Sequence, residues 1–316
     1  MGQNYIIGSI LGTAIGDAIG LPYQGLSPRR AAKLLGIPHR YRFLFCWGMV
    51  SDDTEHTCMV VQALIAAAGN KLKFQYYLGW QLRFWLLGLP AGVGLATLRA
   101  IVRLWCGCSP EKSGVFSAGN GPAMGASILG VAITDVEKLR ELVKISSRIT
   151  HTDPKAEYGA FASALAARTA CQTPKVSGEH FLWQLQLDLG ESASEFIHII
   201  QAVVISVNKG ESTREFANRQ GMAQGVSGYV YHSVPVAIRA WLSHQQDFRT
   251  AIMTVIPCGG DTYSTAASVG GIVGAGVGKE GIPQEWLNRL LEQSRTVQWM
   301  ERLAIQLDNG MKLVIS

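Results

Sequence analysis

Apolar residues recur at helical spacing through most of the chain, and the pattern predicts helices at roughly 4–19, 54–68, 74–88, 91–105, 122–132, 135–149, 155–171, 191–206, 211–219, 234–242, 247–255, 262–277 and 283–292. Strand-like alternation is confined to 41–46 and 226–231, which are short enough to be loops. Turn signals separate the helical runs at 89–92, 117–121, 150–154 and 257–260. No period of about 20–50 residues repeats, which argues against a solenoid. The expectation is an all-α protein: a single compact multi-helix domain over 1–316 with mostly short connections.

Two of these helices carry glycine at every fourth position, Gly8, Gly12, Gly16 and Gly20 in the first and Gly270, Gly274 and Gly278 in the second. An interior glycine costs about 1 kcal/mol against alanine, so the stripe is best explained by two backbones that pack too closely for side chains. Such a seam would bring helix ends far apart in sequence to one spot.

With 316 residues, 48% of them apolar, the chain can bury a large core. The formal charge of +5 is scattered, with Arg29, Arg30 and Lys33 the densest cluster before residue 40, so no basic face is marked out for nucleic acid. Six cysteines stand mostly in apolar runs without CxxC spacing, which reads as buried free thiols in a reducing cytoplasm. The most apolar stretches, 58–68 and 264–278, are too short or too glycine-rich to span a bilayer, and no basic leader precedes the first apolar run. A cytoplasmic protein with no nucleic-acid or membrane partner is expected. The aromatics of 75–85 and 103–105 fall at helical spacing and are expected in the core.

Candidate chemistry sits where helices begin. Ser51-Asp52-Asp53-Thr54 precedes a helical run. One acidic cap would satisfy the helix dipole, whereas two adjacent carboxylates flanked by hydroxyls also suit a hard cation such as Mg²⁺. Pro257-Cys258-Gly259-Gly260-Asp261-Thr262-Tyr263-Ser264 again leads into a helix, its glycines allowing a tight turn or close approach to a ligand. Asp261 and Ser264 are three apart and share a helical face. Gly119-Asn120-Gly121 is either a plain turn or a set of exposed N–H groups for phosphate. In His151-Thr152-Asp153-Pro154 the aspartate caps a helix that opens on proline, leaving His151 as a candidate ligand donor. His56 reads as a core histidine that could also support the carboxylates.

In chain order, Gly12-Thr13-Ala14-Ile15-Gly16-Asp17-Ala18-Ile19-Gly20-Leu21-Pro22, Ser51 to Thr54, Gly119-Asn120-Gly121-Pro122-Ala123-Met124, His151-Thr152-Asp153 and Gly259 to Ser264 resemble the ADP-ribosylglycohydrolase family. That family includes the dinitrogenase-reductase-activating glycohydrolases. The resemblance implies an all-helical fold with a cleft for two Mg²⁺ ions, where ADP-ribose or an ADP-ribosylated substrate binds and the bond at the ribose anomeric carbon is cut. By the same resemblance Ser51, Asp52 and Asp53 form one metal cluster, and Asp261 with Ser264 the other. Asp17, Gly119, Asn120, Gly121, His151, Gly259 and Gly260 would bind the ligand, and Asp52, Asp53 and Gln24 would hold the catalytic positions.

Three positions depart from the family's pattern. Tyr263 stands where the second cluster has another Asp, so a neutral phenol replaces a charged ligand and one or two ions are expected, the second weakened. Gln24 stands where many members carry Glu, and an amide orients water without accepting its proton. Gly125 stands where close relatives often have Arg, removing a phosphate contact. Three readings stay open: a working ADP-ribosyl hydrolase with an altered Mg²⁺ site, a catalytically silent ADP-ribose-binding relative, and a scaffold reusing the fold.

Overall fold

A computed structural model describes residues 2–43, 46–90, 92–291 and 295–315, with side chains described through 310. Its α-helices are α1 (Gln3–Gly20), α2 (Pro28–Leu34), α3 (Asp52–Ala67), α4 (Lys71–Leu87), α5 (Leu95–Trp105), α6 (Gly121–Met124), α7 (Ala126–Ala132), α8 (Val136–Arg148) and α9 (Pro154–Gln172). They continue with α10 (Gly178–Leu189), α11 (Ser194–Asn208), α12 (Thr213–Arg219), α13 (Val230–Ser243), α14 (Phe248–Val255), α15 (Thr262–Val277), α16 (Gln284–Leu287) and α17 (Val297–Ile315). Among the described residues only isolated bridges join extended segments, so neither strand-like stretch forms a strand where it is described. Val226 bridges Gly260, and Val230 already opens α13.

Helices α1, α9 and α15 are buried on nearly every side, which places them at the centre of the molecule. The amphipathic α5, α8 and α14 present one apolar face inward. Helices α1 and α15 run antiparallel along the glycine seam. A Cβ built on Gly8 would lie 2.2 Å from the Gly274 carbonyl oxygen, one on Gly12 2.1 Å from that of Gly270, and one on Gly16 2.1 Å from that of Ala266. At the end of the seam Gly20 meets the backbone of Tyr263. The last turn of α1 and the first turn of α15 are thereby fixed side by side.

Several boundaries differ from expectation for visible reasons. The run at 122–132 is two helices broken at Gly125, whose missing side chain leaves room for Val60; an added Cβ would sit 2.8 Å from its Cγ2. The run at 283–292 shortens to the single turn of α16, and α5 begins at Leu95, four residues late. Residues 44–45, 91 and 292 of the predicted segments lie outside the described residues. Helices α2, α10 and α17 were not foreseen. Helix α2 buries only Pro28 and Ala31, too few apolar positions to leave a period.

Candidate active site

The site assembles where four segments meet: the end of α1, the start of α3, the start of α15, and the loop before α6. Asp17, on the last turns of α1, is fully buried. Its Oδ2 accepts from the Ser51 backbone N–H at 2.7 Å and from the Thr54 hydroxyl at 2.5 Å, while its Oδ1 accepts from the Ser51 hydroxyl at 2.7 Å. The Thr54 backbone N–H adds a longer bond at 3.3 Å. Asp17 thus supplies the N-terminal cap that α3 lacks from its own sequence, its two oxygens engaged by Ser51 and Thr54. Burial raises its carboxyl to about 6, against the pull of these donors.

That cap aims Asp52 and Asp53 inward from the first turn of α3. Both are buried, and each keeps one oxygen, Oδ1, buried without a protein partner. The other oxygen of Asp53 accepts from the Ser264 hydroxyl at 3.0 Å, which joins the two sequence clusters directly. Burial, then the charge of Asp17, lifts Asp52 to about 7. Asp53 is pushed well above the carboxylate range by burial first and the neighbouring acids Asp52, Asp17 and Asp261 second.

Asp261, at the N-cap of α15, is held by amides. Its Oδ1 accepts from Gln24 Nε2 at 3.1 Å and its Oδ2 from Asn120 Nδ2 at 2.7 Å. The Gln24 carbonyl oxygen in turn accepts from the Thr262 backbone N–H at 3.0 Å, so Gln24 bridges the start of α15. Asn120, read as a loop donor for phosphate, spends its side chain on Asp261 and its backbone N–H on the Gly228 carbonyl.

Gly259 and Gly260 form the turn that leads into Asp261. Both take positive φ, 70° and 77°, and their N–H groups donate to the carbonyls of Ile256 and Leu26, while Asp261 N–H donates to Val226. The glycine pair brackets the loops at 24–26 and 225–228 and sets Asp261 in place, with no N–H left for a phosphate.

The cleft has two compartments separated by Tyr263 and the backbone of Gly92. One, of about 520 Å³, is lined by Gly119, Asn120, Gly121, His151, Asp261 and Ser264, among others. The second, of about 790 Å³, is lined by Ser51, Asp52, Glu55 and apolar residues including Val50 and Val93. Gln24, Gly92 and Tyr263 border both. His151 packs under the glycine loop, where a Cβ on Gly121 would lie 2.8 Å from its Cε1, and burial lowers it to about 4, so it is neutral. His56 stacks edge-on against Trp85 at 4.5 Å and is likewise held near 4 by burial, in keeping with a core histidine. Gly92 escaped the sequence reading. Its turn was legible, but its closeness to Asp52 Oδ1 and the Tyr263 hydroxyl, 3.0 and 3.3 Å from a built Cβ, is a tertiary fact.

Comparison with known proteins matches the family described as ADP-ribosylglycohydrolase to residues 3–314. The chain belongs to this family. It is 25% identical to the ADP-ribosylhydrolase ARH3 of Gallus gallus over 332 residues, covering 88% of this chain and 87% of that one. The glycohydrolase acting on ADP-ribosyl dinitrogen reductase in Rhodospirillum rubrum is 24% identical over 292 residues, with 90% and 89% covered. Among solved structures, an ADP-ribosylglycohydrolase-related protein complex shares the fold with a TM-score of 0.67 at 22% identity, covering 98% of each chain. The family assignment and the all-helical fold expected from the ordered motifs therefore hold.

Proposed function

We propose that the protein is an ADP-ribosyl hydrolase that cleaves the bond at the ribose anomeric carbon with the help of one hard cation. The observation that carries this reading is the pair of buried, unpartnered Oδ1 atoms on Asp52 and Asp53. Buried carboxylate oxygens without donors are costly, and a divalent cation is the economical remedy. Ser51 Oγ gives its proton to Asp17, which leaves its lone pairs available to an ion. Among the described residues no three His, Cys, Asp or Glu side chains stand close enough to hold an ion by themselves, so the set would be two carboxylates completed by hydroxyls and water.

The donors do not fit a second ion. Both oxygens of Asp261 already accept amide N–H groups, and the Tyr263 phenol, raised further by burial and the surrounding acids, stays neutral. When bound, a cation would neutralise the acid cluster and polarise ribose hydroxyls. The smaller compartment, with His151 beneath the Gly119–Gly121 loop, would take the nucleotide. The larger one would take the group being released. Asp52, near neutrality in its proton affinity and lining that larger compartment, is placed to exchange a proton with water or leaving group. Gln24 would orient water beside it.

The test is release of ADP-ribose from an ADP-ribosylated arginine or serine peptide, with Mg²⁺ and with chelator, alongside calorimetric titration of ADP-ribose. Metal-dependent release supports the proposal. Binding without release under any metal would make the protein a silent ADP-ribose binder, and no binding would leave a scaffold.

A further inference from the structure

The aromatics of α4 and α5, expected in the core, are largely on the surface. Tyr76 is 55% exposed, Phe84 62% and Trp105 46%. Inward, Phe74, Leu78 and Leu82 fill the core side of α4, so the outward rings are surplus to packing. They form one continuous row. Tyr76 meets Trp80 at 6.3 Å, Trp80 stacks on Phe84 at 5.8 Å, and Phe84 meets Trp105 of α5 at 6.4 Å. From Trp105 the exposed Val102 and Leu95 continue along one face of α5, and Leu72 and Leu87 extend the row on α4. Leu89, 88% exposed, caps the turn between them. Exposed apolar side chains that adjoin in a row, instead of standing singly, mark an interaction surface.

Charge selects what could cover it. Between Glu55 and Glu111 the sequence has no Asp or Glu, while it has Lys71, Lys73, Arg83, Arg99 and Arg103. Lys71 is paired with Glu141 of α8, and Arg83 lies over the Trp80 ring at 4.6 Å. Lys73 and Arg99 are exposed on these helices, while Arg103, also exposed, donates its guanidinium to the Gly114 carbonyl at 2.6 Å. Two copies meeting through this face would set like charges together without a carboxylate from either α4 or α5, which opposes a twofold contact. Aromatic and aliphatic side chains mixed with Lys and Arg match instead the interface of a bilayer with anionic headgroups. A face lying on a bilayer needs no spanning helix. Among the described residues one helix is long and apolar enough to span, α1 with its extension to Tyr23, and it is mostly buried in the core.

We propose that the outer face of α4 and α5 docks the protein on an anionic lipid surface. Pro90, Gly92 and Leu95, at the connection between these helices, also line the cleft, so docking would hold the cleft mouth near the bilayer.

Flotation of the full chain with vesicles tests this. Binding is expected to vesicles of phosphatidylcholine with phosphatidylserine, weakened by added salt, and not to vesicles of phosphatidylcholine alone. Phe84→Ser with Trp105→Ser should abolish flotation, and Arg99→Gln should lower partitioning about fivefold, with unchanged thermal unfolding in each case. Absence of flotation with phosphatidylserine vesicles would overturn the proposal. So would undiminished flotation of the double variant, or a dimer that fails to float and is dissolved by Phe84→Ser in sedimentation.

Discussion

Ser264 donates its hydroxyl to Asp53 over 3.0 Å, a bond between residues 211 positions apart. It links the starts of α3 and α15 directly and puts the acid cluster under one constraint: buried Asp17, Asp52 and Asp53 share a small space with one neutral phenol.

Stability without divalent ions should therefore fall as pH rises. The folded values of Asp52 and Asp17, about 7 and about 6, lie above the ~3.9 of an unfolded chain, so the folded state binds more protons in that window. Their contribution is full below about pH 4 and is lost as pH climbs through the folded values. His56 and His151, lowered to about 4, act in the opposite sense and lose stability as pH falls below ~6.5. Asp52→Asn isolates the acid effect: it should be more stable than the parent by a few kcal/mol at pH 8, at roughly 1.4 kcal/mol per pKa unit, with the gap closing near pH 4. Mg²⁺ should raise the parent's denaturation midpoint at pH 8 more than the variant's. Equal midpoints at both pH values, and no response to Mg²⁺, would contradict the assignment of Asp52.

Restoring carboxylates should make the protein more dependent on metal. Gln24→Glu sets a second carboxylate against Asp261, where an amide now donates at 3.1 Å. Thermal melts in chelator should show this variant destabilised, and Mg²⁺ should recover it. Combined with Tyr263→Asp, it should raise turnover by about 10²-fold if a base and a second ion are regained, read as ADP-ribose release. A well-folded double variant with unaltered rate would count against both roles.

The seam should resist any side chain. Gly16→Ala places a methyl 2.1 Å from the Ala266 carbonyl, so the helices must part. Unfolding in urea should show a loss of about 1–3 kcal/mol, and ADP-ribose affinity should fall with it because Gln24 and Asp261 separate. Gly94, with nothing near its Cβ direction, is the control, and Gly94→Ala should unfold like the parent.

Asp17 is predicted to act through α3. Asp17→Asn exchanges one acceptor oxygen for a donor among two N–H groups and two hydroxyls, which should cost about 1–3 kcal/mol in denaturant. Calorimetry should show weaker Mg²⁺ binding with the same stoichiometry. A variant with unchanged stability would mean the cap is dispensable.

Much of this arrangement was legible because its causes are local or periodic. The four-residue glycine spacing announced the seam, and the pairing of Asp52 and Asp53 with two hydroxyls announced the cluster. What stayed hidden was the consumption of donors by other segments. Nothing near Gly259 and Gly260 in the chain reveals that their N–H groups are taken by Ile256 and Leu26, nor does the turn chemistry of Asn120 point to Asp261. The rings of α4 were misplaced for a different reason: helical spacing marks two faces equally, and only neighbours decide which is covered.

The pairing of α1 with α15 also fixes when the protein can come into being. During synthesis the first helix leaves the ribosome with apolar residues all around it, and its partner is not made until residue 277. Until then the face that α15 covers lacks its native partner. A chain without α15 loses the partner of the glycine seam and the Ser264 bond to Asp53 together, so the seam and the joined acid cluster stand or fall as one unit.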